Sequence, residues 1–177
     1  VVTKGTAVAD ATGLATALAN ATTGSVITLA NNIDLAGAPL TLNEAAKEVT
    51  INLNGKNITA DIFNGDDIDN IAAGTTDSYA FLVQAGTLNI TGEGIIKTQP
   101  CKFSIAVFAV GEDAVVNISG GEYYNAGEGS DLIYAKNKVA ANSAKQIIKS
   151  ADPDSIMNYL NQRVNVDSVT YVKVERG

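Results

Sequence analysis

The chain has 177 residues, enough to bury a core in one domain, and a formal charge of −7 with no histidine. Its two arginines, Arg163 and Arg176, lie near the C-terminus, so it lacks the basic footprint of nucleic-acid binding or of a polybasic membrane surface. Cys101 is the only cysteine and no run of eighteen apolar residues occurs, which excludes an intrachain disulfide and a membrane-spanning helix.

Apolar residues make up 46% of the chain but aromatics only 6%, so the core is expected to be built from Val, Ile, Leu and Ala. Val1 stands where a Met would, and the expectation is that the true start, with any targeting signal, lies upstream. Residues 1–9 read as extended. Asp10 then opens a short helix with Leu14, Ala17, Leu18 and Ala21 on one face, and Thr22-Thr23-Gly24-Ser25 stops it. From Val26 the apolar period changes to two. Short strands are expected at 26–29, 33–35, 40–42 and 49–53, the last closed by an Asn54-Gly55 turn. Further strands follow at 80–83, ending in an Ala85-Gly86 turn, then at 106–110 and 131–135. Beyond these, Asp152-Pro153-Asp154-Ser155 opens a second helix, and residues 164–174 read as one or two strands.

One pattern occurs three times. Ile51-Asn52-Leu53-Asn54-Gly55, Leu88-Asn89-Ile90-Thr91-Gly92 and Val116-Asn117-Ile118-Ser119-Gly120 share an order of apolar, Asn, apolar, small polar, Gly. A large apolar residue follows each copy, at Ile58, Ile95 and Tyr123. No fourth copy appears near Val139, where Ala140-Ala141-Asn142-Ser143 departs from the pattern. Repeats of this spacing suggest stacked strands about 4.8 Å apart. The expected fold is all-β, a short right-handed parallel β-helix of about four coils. An N-terminal capping helix and a C-terminal α+β cap or extension complete it. The expected divisions are 1–25 for the arm and capping helix, 26–139 for the coil, and 140–177 for the cap or an oligomerisation extension. In that stack Ile51, Leu88 and Val116 form one inward ladder, Leu53, Ile90 and Ile118 the next, and Asn52, Asn89 and Asn117 face outward.

The runs GSVITLANNIDLAGAPLTL and VTINLNGKNITA, continued by GTLNITGEGII and AVVNISGGEYY, resemble the pectate-lyase-like β-helix surface proteins of bacteria and their phages. The resemblance covers about residues 10–135. The N-terminal KGTAVADATGLATALAN is also loosely similar to segments of phage head-fibre proteins. Both likenesses imply a surface or virion setting. They do not imply one activity, since such a fold hosts enzymes, adhesins and virion fibres.

Lyases of the resembled family use clustered acids for calcium and a basic residue to take a proton; its hydrolases use paired carboxylates. Here the plausible bases are Lys56, Lys97 and Lys102, and Asn occupies the outward motif positions where carboxylates would stand. Asp66, Asp67 and Asp69 form the densest oxygen cluster and are candidate Ca²⁺ ligands, against the alternative of a solvated acidic insertion. Tyr123, Tyr124 and Tyr134 are candidates for stacking against a glycan, with one of the adjacent pair expected in the core. No catalytic residue and no cofactor beyond Ca²⁺ is assigned.

The expected function is a non-enzymatic structural or display protein, a phage virion surface component such as a head fibre or capsid decoration. The expected partners are further copies of the chain, as dimer or trimer, and a larger assembly. Two alternatives stand beside it: a bacterial cell-surface adhesin module binding glycans or host protein, and a polysaccharide lyase or hydrolase. The expected location is the virion surface, or otherwise the bacterial surface or exterior.

Overall fold

A computed structural model describes residues 5–65, 76–99, 101, 103–104, 106–109, 113–124, 133–135, 139–141, 146–150 and 172–176. Strand β1 (Gly5–Val8) leads into helix α1 (Ala11–Ala19). Asp10 caps the helix with extended backbone, and its carboxylate accepts from the Gly13 N–H at 2.7 Å. That bond satisfies one of the amide donors a helix start leaves open. Leu14 and Leu18, one turn apart, are buried in the core.

The strands then run β2 (Ser25–Leu29), β3 (Ile33–Asp34), β4 (Leu40–Asn52), β5 (Lys56–Thr59), β6 (Phe63–Asn64), β7 (Thr76–Ser78), β8 (Phe81–Thr91) and β9 (Gly94–Lys97). After them come β10 (Phe103–Ser104), β11 (Val107–Ala109), β12 (Ala114–Ile118), β13 (Glu122–Tyr124), β14 (Ile133–Ala135), β15 (Val139–Ala141), β16 (Gln146–Ser150) and β17 (Val172–Arg176). An eight-stranded parallel sheet follows the order β1-β2-β4-β8-β11-β14, with β12 branching from β8 and carrying β15. A six-stranded parallel sheet has the order β17-β16-β13-β9-β5-β3. In the small third sheet, β7 pairs parallel with β10 and antiparallel with β6.

This corrects the expected fold class. In place of a short β-helix of about four coils, the described residues form two parallel sheets of unequal size, a small mixed sheet and one short helix. The physical reason lies in β4 and β8, which run thirteen and eleven residues where the sequence suggested separate short strands. Residues 44–47 leave the β4–β8 ladder, between the pairs Asn43↔Ala85 and Glu48↔Thr87. Gly86 sits opposite this bulge with φ +94°, and a Cβ there would meet the Glu44 and Lys47 carbonyl oxygens at 2.5 and 2.9 Å. The expected Ala85-Gly86 turn is therefore a bend inside one strand, open to glycine because no side chain has to fit.

The register of the first repeat also needs correction. Ile51 pairs with Ile90, and Val49 pairs with Leu88. Leu88 and Ile90 pair in turn with Val116 and Ile118. The inward ladders are thus Val49–Leu88–Val116 and Ile27–Ile51–Ile90–Ile118, all buried. A shift of two keeps every side chain on its expected face, so alternation alone does not fix it. Each fully buried Ile or Leu contributes roughly 1.5–3 kcal/mol, so these columns hold the long sheet together. The pattern also outlives its sequence signature: Val139, Ala140 and Ala141 pair in register with Val116, Asn117 and Ile118. The second helix expected from Asp152 lies outside the described residues.

Candidate functional site

The outward face of the long sheet carries the repeat's polar residues. Thr50, Asn89 and Asn117 form one column, because β4, β8 and β12 pair in that register. The Asn117 Nδ2 donates to the Asn89 Oδ1 at 2.8 Å. Asn89 Nδ2 donates in turn to Glu48 Oε1 at 3.1 Å and lies 3.5 Å from Thr50 Oγ1. Asn52, expected in the same column, stacks on Thr91 and accepts the Asn54 backbone N–H at 3.0 Å. That bond braces the Asn54-Gly55 turn, whose residues take φ of 51° and 72°. The amides on this face are bonded to one another and to their own backbone, and they join strand to strand.

Two other features lie apart from the column. The first is a cleft of about 640 Å³ between α1 and the β1–β2 edge, walled by Thr6, Val8, Asp10, Gly13, Ala17 and Ile27. Asp10, its one ionisable wall residue, is bonded to the helix start. The second is a polar and aromatic patch around the small sheet, which the sequence reading missed. Asp77, Ser78 and Thr98 are buried there, and Ser78 Oγ accepts the Gln99 N–H at 2.9 Å. The Tyr79 ring meets Phe63 edge-on at 4.7 Å and Phe108 at 5.3 Å. No signal in Thr76-Asp77-Ser78-Tyr79 announces burial, since Asp and Ser on a short strand ordinarily read as solvent-facing.

Of the residues expected to bind Ca²⁺ or a glycan, Tyr123 is the one whose side chain is described. Tyr123 is fully buried in the six-stranded sheet, in a column with Ile33, Ile58 and Ile96, and its hydroxyl donates to the Gly120 carbonyl at 2.9 Å. It offers no ring to a glycan, and burial pushes its phenol pKa up. Tyr124 and Tyr134 lie on β13 and β14, paired with Lys97 and Phe108, and their side chains lie outside the described residues. Asp66, Asp67 and Asp69, the candidate Ca²⁺ ligands, also lie outside them, as does Lys102. Among the described residues, no three His, Cys, Asp or Glu side chains gather as a metal site. Of the candidate bases, Lys56 is half-buried on β5 and Lys97 is exposed on β9. No helix among the described residues is long and apolar enough to cross a membrane.

Compared with known proteins, the chain matches no family model, and no curated protein or solved structure matches it significantly.

Proposed function

We propose that this chain is a non-enzymatic structural or display protein, a surface component of a larger assembly such as a phage virion. One observation carries the reading. The repeated Asn52, Asn89, Asn117 and Ser119, where a ligand-binding or catalytic array would hold free groups outward, spend hydrogen bonds on one another and on nearby backbone. Asn117 bonds Asn89, and Asn89 bonds Glu48. A column of this kind stiffens a sheet and fixes its register. The surface setting is taken from the sequence resemblance of residues 10–135 and is part of the proposal.

Immunogold labelling of particles from the source culture, with antibody against the purified chain, tests this reading. Label on intact particle surfaces is the expected result. Label confined to cell walls, together with specific binding on a glycan array, would replace it with the adhesin reading.

A further inference from the structure

Strand β1 ends the eight-stranded sheet, and among the described residues β2 is its one neighbouring strand. The pairing is parallel, with Val8 beside Leu29, and the Val8 carbonyl accepts the Ala30 N–H at 2.7 Å. Backbone groups alternate in direction along a strand. Val8 and Thr6 therefore face β2, while the N–H and C=O of Ala7 and Gly5 point away from the sheet. Gly5, Thr6 and Ala7 are all exposed, so neither face of the strand is covered there. Sheet edges are usually guarded by charge, proline or a bulge. Gly5-Thr6-Ala7-Val8-Ala9 carries no charge and no proline, and its pairing with β2 has no bulge.

We propose that this edge is a self-association surface, where β1 of one copy pairs antiparallel with β1 of a second copy about a two-fold axis at Ala7. A two-fold contact sets the same patch against itself. With Ala7 at the centre, its outward N–H and C=O exchange two hydrogen bonds with the partner's Ala7. The charge pattern favours this occupant. In a chain of net charge −7 the uncharged edge is where two copies approach without like charges in register. Antiparallel pairing about Ala7 sets Gly5 against Ala9 and Thr6 against Val8 of the second copy, with no charged side chain in the paired segment. The next outward carbonyl, that of Ala9, accepts from Asn31 Nδ2 at 3.4 Å, which marks where the paired segment ends. The inference rests on the assembly reading above only in taking a second copy as the occupant.

Light scattering and sedimentation on the full chain test it. The expected wild-type mass at high concentration is twice 18.2 kDa, falling on dilution. Ala7→Pro removes the outward N–H and none that β2 uses, and an edge strand tolerates proline when its N–H faces solvent. This variant is expected to stay at the single-chain mass with unchanged circular dichroism and Tm. A second pair of variants reads the register directly, in a Cys101→Ser background. In an antiparallel bonded pair the opposed Cα atoms are about 5.5 Å apart, within disulfide reach. Ala7→Cys is expected to cross-link into a covalent dimer on mild oxidation, whereas Thr6→Cys, offset by two positions from its own copy, is expected to stay single. A dimer or trimer indifferent to Ala7→Pro would overturn this surface while leaving the assembly reading standing. Single-chain mass at every concentration would overturn this surface, while the assembly reading would still be decided by the particle labelling. If Ala7→Pro fails to fold, equal cross-linking of the two cysteine variants still overturns the proposal.

Discussion

Asn117 on β12 and Asn89 on β8 are joined amide to amide at 2.8 Å, across strands paired in register from Ala114↔Gly86 to Ile118↔Ile90. Behind each Asn, two buried residues face inward: Leu88 and Ile90 on one strand, Val116 and Ile118 on the other. The repeat thus encodes two linked devices, an aliphatic ladder inside and an amide ladder outside. The inner one drives burial, and the outer one ties β12 to β8 in the observed register.

Asn89→Ala tests the outer device. It leaves the Asn117 amide half-buried without its acceptor and releases Glu48 and Thr50. The expected loss is about 1–2 kcal/mol, read as a lower urea midpoint with an unchanged slope. A changed slope would instead show that the compactness of the folded or unfolded state had altered.

The β4 bulge gives a contrast between two glycines. Gly37 has φ +77° with nothing within 4 Å of an added Cβ, so Gly37→Ala is expected to cost about 1–2 kcal/mol from backbone strain alone. Gly86→Ala adds a collision with the Glu44 and Lys47 carbonyls, which are backbone atoms unable to swing aside. Its expected cost exceeds that of Gly37→Ala by roughly 1–3 kcal/mol in the same denaturation experiment. Equal costs would mean that the bulge yields freely.

These positions also show how much the sequence could tell. The capping Asp10, the buried Leu14 and Leu18, the Asn54-Gly55 turn and the inward or outward sense of each motif residue follow from local rules: caps, the helical period, turn chemistry and alternation. Register does not. Ile51 fits beside Leu88 or Ile90 equally well by hydrophobicity, and the choice is made by residues 44–47 leaving the ladder opposite Gly86. Nor was the third sheet legible, because it joins Phe63 and Asn64 to Thr76 and Asp77 across residues with no repeat signature. The polar column was half legible: its Asn residues stood out, but the first repeat contributes Thr50 in place of Asn52.

Lys47 ties the bulge to the helix. Its ammonium reaches the Ala19 carbonyl at the end of α1 at 2.9 Å, and Glu44 at 2.7 Å. α1 has no basic residue of its own in its last turn, so Lys47 supplies the positive charge that a helix C-terminus favours. Lys47→Met keeps most of the stem's packing and removes the charge. The expected loss is about 1 kcal/mol, smaller at high salt. Glu44→Gln is expected to cost much less, because Glu44 is largely exposed and exposed ion pairs are weak. Thermal denaturation of both variants at low and high salt checks the ranking.

Tyr123 gives the fold one alkaline pH dependence. Its phenol is fully buried, burial raises its pKa above the ordinary value near 10, and its hydroxyl donates to Gly120. The neutral form is the one the folded state accommodates. In the unfolded chain the phenol ionises near pH 10, so unfolding releases a proton once the pH exceeds that value. The sign follows: the stabilisation linked to Tyr123 is fully present below about pH 10 and declines as pH rises further toward the folded pKa. Tyr123→Phe removes both the hydrogen bond and this titration. At neutral pH it is expected to cost about 1 kcal/mol, the worth of one buried hydrogen bond. Between about pH 10 and 11.5, wild type is expected to lose stability faster than the variant, by up to about 1.4 kcal/mol per pH unit. Urea denaturation of both proteins across that range reads the difference. Parallel curves would mean that the Tyr123 phenolate reaches solvent without unfolding, contrary to its place in the column with Ile58 and Ile96.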